Sequence, residues 1–191
     1  MTRLIGQRLV LRELDVADWP AVHAYSARPE VARYQTWGPN TPAESRAFVE
    51  QVLAAAQAAP RREYQLAITI ADGGRLIGTG ALWVRNVEHG QGELGYFLHP
   101  DHWGRGYATE AARLLLGFGF AELRLHRVFA TCNPHNVVSA RVLEKIGMTF
   151  EGRLRETLRL RAGWRDSAVY GVLAQECYCW RTSSRPPVTL R

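Results

Sequence analysis

The sequence contains no apolar run that approaches the roughly 20 residues of a membrane-spanning helix. Its first residues, Met1 to Leu4, lead straight into a strand pattern and not into the charged start and apolar stretch of a signal peptide. These absences argue against a helical membrane protein and a secreted one. We therefore expect a soluble, cytoplasmic protein with no membrane partner.

Cysteine is also scarce. The chain has three cysteines, Cys132, Cys177 and Cys179, and none of them forms the C-x-x-C spacing of zinc sites or thioredoxin-like sites. An odd number of cysteines in a chain of this size argues against a disulfide framework. We expect these residues to fill core or surface positions, and we expect no metal.

Two common phosphate-binding patterns are missing. The pattern G-x-x-x-x-G-K-[ST] does not occur, and no G-x-G-x-x-G opens a βαβ unit with an acidic residue downstream. The first absence argues against a P-loop nucleotide-binding protein. The second argues against a dinucleotide-binding dehydrogenase.

What is present describes an ordinary globular chain of 191 residues, with 47% hydrophobic and 22% charged residues. This length fits one domain, which we expect over residues 1–180. Residues 181–191 are rich in serine, proline and arginine, a composition that cannot bury a core, so we expect a mobile tail there. The net charge of +6 favours anionic partners, among them phosphorylated cofactors, ribosomal surfaces and nucleic acid.

Apolar periodicity predicts the order β, α, α, β, β, β, α, β, α, β, β. Thr41 and Glu44 have capping-box spacing and predict a helix that follows them. Asp72-Gly73-Gly74 predicts a hairpin turn, and Asn136 predicts the N-cap of a late helix. An order that mixes hairpins with helical crossovers predicts an α/β fold with a central mixed sheet flanked by helices.

The most informative stretch runs from Glu93 to Phe120 and predicts a strand, a Gly-rich turn and a helix. The first N–H groups of a helix lack internal partners and carry the positive end of its dipole, so they suit a phosphate. Gly104 and Gly106 have no Cβ and would let a pyrophosphate approach the backbone, and Arg105 adds positive charge. A turn of this kind is explained equally well by simple chain reversal.

This turn resembles the acyl-CoA-binding loop of the GNAT superfamily of N-acetyltransferases, whose pattern is Gln or Arg, two residues, Gly, one residue, then Gly or Ala. Gly106 and Ala108 occupy the last two positions, whereas Trp103 replaces the Gln or Arg. The predicted element order is similar to the GNAT fold over nearly the whole chain. The resemblance implies a GNAT-like acyl-CoA N-acyltransferase fold.

Further stretches resemble one branch of that family, the RimJ/RimL-like acetyltransferases. They are Arg8–Arg12, the loop from Trp103 to Glu110 continuing as Ala-Thr-Glu-Ala, Asn136-x-x-Ser139 with Leu143–Met148, Glu151–Arg155 and Trp164–Asp166. The resemblance implies acetyl-CoA as donor, a primary amine as acceptor and direct transfer in a ternary complex. It further implies a protein N-terminus of the ribosomal type as acceptor, proximity to the ribosome and a possible homodimer.

Two side chains are candidates for proton transfer. The attacking amine must be neutral, and Glu93 at the start of the central strand could accept its proton; the alternative is a solvated charge at a strand end. The branch resemblance implies that Ser139 donates a proton to the departing thiolate and that Asn136 lies near the CoA chain. Local hydrogen bonding at the start of a helix would explain both of these residues equally well.

The family resemblance also implies that backbone N–H groups around Phe97 and Leu98 stabilise the developing oxyanion. The residues predicted to bind the cofactor are Phe97, Leu98, Trp103, Gly104, Arg105, Gly106, Tyr107, Ala108, Thr109, Asn133 and Asn136.

The acceptor cleft is predicted from aromatic side chains on connecting segments, namely Tyr34, Trp37 and Trp164. The alternative for Tyr34 and Trp37 is that they close one end of the core. Strand alternation in the last hairpin predicts one face of four arginines, which either is simply solvated or binds an acidic or RNA-rich partner. These arginines are Arg153, Arg155, Arg159 and Arg161.

Three other functions remain open. The first keeps the chemistry and uses a small amine, such as a polyamine, an amino acid analogue or an antibiotic. The second is a non-catalytic acetyl-CoA sensor, in which Glu93 and Ser139 have no role. The third is a basic nucleic-acid-binding module, which ranks last because the sequence has no helix-turn-helix, zinc or RNP-type signature.

Overall fold

The computed structural model describes residues 1–160 and 163–177. The expected domain boundary at residue 180 and the tail at 181–191 lie outside the described residues. The strands are β1 (Arg3–Ile5), β2 (Leu9–Glu13), β3 (Glu63–Ile70), β4 (Leu76–Asn86), β5 (Gln91–Leu98), β6 (Arg127–Cys132), β7 (Thr149–Leu160) and β8 (Gly163–Leu173). The helices are α1 (Trp19–Ser26), α2 (Pro29–Ala32), α3 (Pro42–Ala56), α4 (Tyr107–Ala121) and α5 (Val137–Lys145).

The eight strands form one open sheet in the order β1-β2-β3-β4-β5-β6-β8-β7. Every neighbouring pair is antiparallel except β5 and β6, which are parallel and are connected through α4. A parallel pair requires such a crossover, because both strands run in the same direction. The predicted α/β fold with a central mixed sheet flanked by helices is confirmed.

Local signals in the sequence explain where the helices begin. The Thr41 side chain accepts from the Glu44 N–H, and the Glu44 carboxylate accepts from the Thr41 N–H, which confirms the predicted capping box of α3. The Asn136 side chain accepts from the Ser139 N–H and caps α5 as predicted. The short elements β1 and α2 were not predicted, because three or four residues are too few to show a period.

The central feature of the sheet is the early divergence of β5 and β6. These strands pair through three residues each, the last pair being Glu93 and Phe129. Beyond that pair β5 continues to Leu98 and β6 continues to Cys132 without a common ladder. We call the space between Leu94–Leu98 and Ala130–Cys132 the β5–β6 opening.

Helices cover both faces of the sheet and bury two apolar clusters. On one face Leu94 and Leu98 of β5 pack with Leu115 of α4 in the larger cluster. On the other face α1 and α3 bury a smaller cluster, against which Phe97 packs. Because side chains alternate along a strand, successive residues of β5 face different helices.

The last hairpin keeps Arg153 and Arg159 on the one face that the sequence predicts for the arginines. Its register shifts between Leu154 and Leu158, and Glu156 in that bulge has a positive φ of 50°. Arg153 pairs with Ala168 and Arg159 pairs with Trp164, four residues apart on β8, so both arginines point to the same side of the sheet. Arg153 is paired with Asp166 at 2.6 Å, so its charge is already neutralised. Arg155 falls within the bulge, and Arg161 lies outside the described residues.

The expectation that the cysteines fill core or surface positions holds for both described residues, since Cys132 and Cys177 are buried in the larger apolar cluster. Cys132 at the end of β6 is buried and free, as expected of a residue that fills the core. Cys177 is disulfide-bonded, which the sequence analysis did not expect. Among the described residues, no helix is both long and apolar enough to cross a membrane, and no group of three or more His, Cys, Asp or Glu is placed to hold a metal ion.

Candidate functional site

The predicted cofactor loop ends in a helix N-terminus with an open backbone. Gly106 is the N-cap of α4, has a φ of 77° and makes no side-chain cap. The Glu110 N–H donates to the Gly106 carbonyl at 3.1 Å, so the N–H groups of the preceding helical residues have no partner within the helix. Gly104 also has a positive φ, and a Cβ placed on it would meet no atom within 4 Å. An accessible N-terminus of this kind fits a pyrophosphate.

Arg8 and Glu110 hold this loop against the turn between β1 and β2. The Glu110 carboxylate accepts from the Arg8 N–H at 2.7 Å, the Leu9 N–H at 3.1 Å and the Arg8 Nε at 2.8 Å. Arg8 also donates to the Arg105 carbonyl at 2.9 Å and stacks over the Tyr107 ring at 4.9 Å. The loop is therefore held in place by a segment about 100 residues earlier in the chain.

A buried histidine lies in the short turn before the loop. His102 is 7% exposed, its Nε2 lies 3.3 Å from an Arg75 nitrogen, and its Nδ1 has no hydrogen-bond partner. Burial lowers the pKa of His102, and the positive charges of Arg75 and Arg105 lower it further. His102 is thus held neutral beside a cluster of cations.

Trp103, which replaces the Gln or Arg of the family pattern, anchors the end of β5. Its indole N–H donates to the Leu98 carbonyl at 2.9 Å, and the side chain remains about half exposed. The His99 N–H donates to the Ile77 carbonyl of β4, and hydrogen bonds in an antiparallel ladder recur at every second residue. The Phe97 N–H is therefore directed towards β4, whereas the Leu98 N–H is directed away from β4 and towards the β5–β6 opening.

Tyr96 and Ser139 meet across the β5–β6 opening. The Tyr96 hydroxyl donates to the Ser139 carbonyl at 3.3 Å and lies 3.2 Å from the Ser139 Oγ. Burial raises the pKa of Tyr96, so its hydroxyl keeps its proton at physiological pH and acts as a hydrogen-bond donor. The structure therefore places Ser139 inward, as its helical spacing predicts, with Tyr96 as a partner that the sequence analysis missed.

Glu93 lies at the last paired position of β5, where the β5–β6 opening begins. Its carboxylate accepts from Arg85 Nε at 2.7 Å, and its side chain is 21% exposed. Strand alternation places Glu93 on the same face of β5 as Phe97 and on the opposite face from Tyr96. The two predicted proton-transfer residues, Glu93 and Ser139, thus approach β5 from opposite sides.

The two predicted cofactor-binding asparagines both have local partners. Asn133 is 8% exposed, and its Oδ1 accepts from the His135 N–H at 2.9 Å. The Asn136 side chain is used as the cap of α5, and its own N–H donates to the Asn133 carbonyl at 2.8 Å. These bonds explain both residues structurally, so their contact with a cofactor stays a prediction.

The segment between α2 and α3, residues 33–41, connects two parts of the predicted acceptor cleft. Trp37 packs edge-on against Phe97 with ring centroids 5.0 Å apart, so it also closes the smaller core cluster. The Tyr34 carbonyl accepts from Arg165 of β8 at 2.9 Å. Trp164 is 61% exposed, and strand alternation points it away from the face on which Arg165 lies.

A small cavity lies beyond the end of β6, next to these residues. It has a volume of about 290 Å³. That volume lies just below the range for small-molecule sites, about 300–1,000 Å³. The cavity is lined by Asn133, Pro134, His135, Trp164, Arg165 and Asp166, together with Arg153, Leu160 and Gly163.

Four site residues were not predicted from the sequence, namely Arg8, Glu110, Tyr96 and Arg165. Arg8, Glu110 and Arg165 lie within stretches that carry the family resemblance, but the sequence alone does not show which residue each of them contacts. Tyr96 occurs in an apolar run and reads as a core residue. Its polar function depends on α5, which lies 43 residues later in the chain.

Comparison with known proteins is consistent with this geometry. Residues 8–149 match the family model described as the acetyltransferase (GNAT) domain. The chain is 34% identical over 170 residues to an uncharacterized N-acetyltransferase, YnaD, of Bacillus subtilis, with 89% of this chain and 96% of the relative covered. A GNAT-family acetyltransferase structure from Bacillus anthracis superposes with a TM-score of 0.81 at 32% identity, covering 91% of this chain and 99% of the other.

A more distant structure was solved with ligands. It is the spermidine N-acetyltransferase of Vibrio cholerae in complex with CoA and spermine. It superposes with a TM-score of 0.76 at 22% identity and covers 88% of this chain and 97% of the other. A likeness of this degree concerns the fold alone.

Replacing Gly106 with valine should abolish measurable binding of acetyl-CoA, the cofactor that the family resemblance implies. A Cβ there would occupy the approach to the open backbone, and the left-handed conformation would cost about 1–2 kcal/mol of stability. Gly73 is a matched control, since its φ of 75° imposes the same strain in the remote β3–β4 turn. Calorimetric titration of both variants should show lost affinity for Gly106→Val alone, and equal affinities would contradict the proposed site.

Lowering the pH below about 6.5 should reduce stability through His102. The unfolded chain binds a proton there with the ordinary histidine pKa of about 6.5, whereas the native pKa is lower, so acid favours unfolding. Between about pH 7.5 and 5.5, the melting temperature of wild type should therefore fall more steeply with decreasing pH than that of His102→Gln. His89→Gln, at an exposed histidine, serves as the control. Parallel curves for wild type and His102→Gln would disprove this assignment.

Proposed function

This chain belongs to the GNAT acetyltransferase family and is an acetyl-CoA-dependent N-acetyltransferase, and we propose that its acceptor is the α-amine of a protein N-terminus. The sequence stretches that resemble the RimJ/RimL-like branch favour this acceptor. The pairing of the carboxylates along the β5–β6 opening with arginines also favours it.

The residues around the start of α4 fit acetyl-CoA. The uncapped N–H groups after Gly106 suit its pyrophosphate, and the positive charge of Arg105 lies next to them in the chain. The Arg8–Glu110 contact holds the loop and also neutralises a carboxylate that would otherwise repel phosphate. When bound, acetyl-CoA supplies the acetyl group as an activated thioester.

The side chains at the β5–β6 opening divide the proton transfers between them. We assign to Glu93 the proton of the incoming amine, on the face of the sheet covered by α1 and α3. We assign to Ser139 the proton needed by the departing sulfur, on the face covered by α4 and α5. Tyr96, hydrogen-bonded to Ser139 and neutral, keeps that hydroxyl oriented, and exchange with water between turnovers returns the Ser139 proton and removes the proton from Glu93.

The observation that carries the choice of acceptor is that the described strands and loop beside the β5–β6 opening hold no unpaired carboxylate. Strands β5, β6 and the described part of β8, together with residues 33–41, contain two acidic side chains, Glu93 and Asp166. Each is already paired, Glu93 with Arg85 and Asp166 with Arg153. A polyamine carries several positive charges and needs free carboxylates, so this lining disfavours it.

An α-amine suits the same lining. Its ordinary pKa is about 7.7–8.0, against about 10.4 for a lysine side chain, so a larger fraction is neutral and reactive at physiological pH. A single α-amine also brings one positive charge at most. A ribosomal protein is one acceptor of this type, consistent with the net charge of +6 and its affinity for anionic surfaces.

A small amine is the second candidate. Its support is the volume of the cavity beside Trp164, about 290 Å³.

Incubation with isotope-labelled acetyl-CoA should place the label on protein N-termini. The acceptors are a ribosomal-protein fraction, a small-metabolite extract and spermidine. A peptide with a free N-terminus and an internal lysine is compared with the same peptide carrying a formyl group on its N-terminus. We expect label on the free α-amine alone, located by mass spectrometry. Label confined to small amines would overturn the proposed acceptor, and label in no pool would favour an acetyl-CoA sensor.

Glu93→Gln should lower kcat by about 100-fold or more and leave the Kd for acetyl-CoA unchanged, because a general base commonly contributes about 10²- to 10⁴-fold. Ser139→Ala should also lower kcat, and Tyr96→Phe should do so less, since it removes only the supporting hydroxyl. Glu88→Gln, in the exposed β4–β5 turn, is the control. A kcat for Glu93→Gln equal to that of the control would remove Glu93 from the mechanism.

A further inference from the structure

Arg165 differs from the other arginines of the described chain in that it is buried and has no counter-ion. Seven other arginines form ion pairs with carboxylates, and all of these pairs are partly exposed. Arg165 is 9% exposed, and within residues 1–160 and 163–177 no carboxylate lies within ion-pair distance of it. Burying a guanidinium without an anion is costly, so such a residue requires an explanation.

The partners that Arg165 does have leave part of its donor capacity unused. One terminal nitrogen donates to the Tyr34 carbonyl at 2.9 Å, and the other donates to the Ser167 Oγ at 3.0 Å. These contacts use two of the five N–H donors of a guanidinium, and the buried Nε has no partner. Nε and its neighbouring terminal N–H form the edge that binds a carboxylate through two parallel hydrogen bonds.

The position of Arg165 connects it with the amine acceptor. Cys132 at the end of β6 pairs with Ala168 of β8, so Arg165 lies on β8 just past the end of β6. Alternation puts it on the face covered by α1 and α3, where Glu93 and Phe97 also lie. It also lines the cavity of about 290 Å³, and residues 33–41 connect it to Phe97 through Tyr34 and Trp37.

The groups around Arg165 do not neutralise its charge, so it can bind an incoming anion. Asp166 follows it directly, but its carboxylate is bound by Arg153 and by the Glu156 N–H. The Cys132 thiol does not neutralise Arg165 either. Burial raises the pKa of that thiol, so it remains uncharged at physiological pH. An anion that enters from the acceptor side would therefore be the first to neutralise this cation.

We propose that Arg165 binds a carboxylate of the acceptor, so that the preferred substrate is an amine carrying a carboxylate a few bonds from its nitrogen. This inference builds on the proposed function but does not require it. In a protein N-terminus the carboxylate is an aspartate or glutamate side chain in the first two residues. In a small acceptor it is the α-carboxylate of an amino acid.

The test compares matched acceptors that differ in one charge. The first pair is a peptide beginning with Asp and the same peptide beginning with Asn, and the second is an amino acid and its amide. In at least one pair, wild type should prefer the carboxylate by about 10- to 100-fold in kcat/KM, the range for a charged hydrogen bond. Arg165→Gln should bring that preference close to unity, mainly through KM, and Arg165→Lys should retain part of it.

The controls separate the possible failures. Arg3→Gln removes an exposed positive charge on β1, at the opposite edge of the sheet from β8, and should leave the preference unchanged. The melting temperature of each variant shows whether it folds. If Arg165→Gln does not fold, the preference of wild type for the carboxylate substrate decides whether Arg165 has the proposed role. Activity in the amino acid pair alone would overturn the protein acceptor but not the role of Arg165. No preference in wild type, or an unchanged preference in Arg165→Gln, would overturn the role of Arg165.

Discussion

The divergence of β5 from β6 is the constraint on which the rest of the structure depends. Two parallel strands that stop pairing after three residues leave backbone groups without a ladder, and buried groups of this kind must find other partners. The Trp103 indole satisfies the Leu98 carbonyl, and the Tyr96 hydroxyl reaches the Ser139 carbonyl across the β5–β6 opening. The same separation leaves the Leu98 N–H directed into a space where a reacting carbonyl could be polarised.

The cofactor loop depends on a second long-range contact. Gly104 and Gly106 leave the loop backbone accessible to a ligand. They also make the loop costly to order, because glycine loses more conformational freedom on folding than other residues. Arg8 offsets this by joining Glu110, the Arg105 carbonyl and the Tyr107 ring in one cluster. The N-terminal hairpin therefore preorganises the loop, which lowers the entropic cost of binding a ligand there.

Most of the buried or partly buried charges in ion pairs stabilise contacts between elements, whereas Arg165 has no carboxylate partner among the described residues. Arg12 with Asp18 and Arg61 with Glu13 connect neighbouring elements on the surface. Both carboxylates are partly buried, which opposes ionisation, but hydrogen bonds from the arginines hold the pKa of Asp18 and of Glu13 below the ordinary value. Arg165 is buried deeper and has no carboxylate partner among the described residues, so its charge remains free to bind an anion.

The sequence by itself determined the parts of this protein that depend on neighbours in the chain. Apolar periods gave the order of the longer strands and helices, and the Thr41–Glu44 and Asn136 caps and the Gly106 turn were readable because each acts within a few residues. Only the tertiary structure decided that Arg8 meets Glu110, that Tyr96 meets Ser139 and that Arg165 meets Tyr34, 131 residues away. It also decided that a bulge around Glu156 interrupts the ladder at Arg155, while Arg153 and Arg159 keep a common face. Contacts of this range follow from strand order, register and twist, which no short window of sequence encodes.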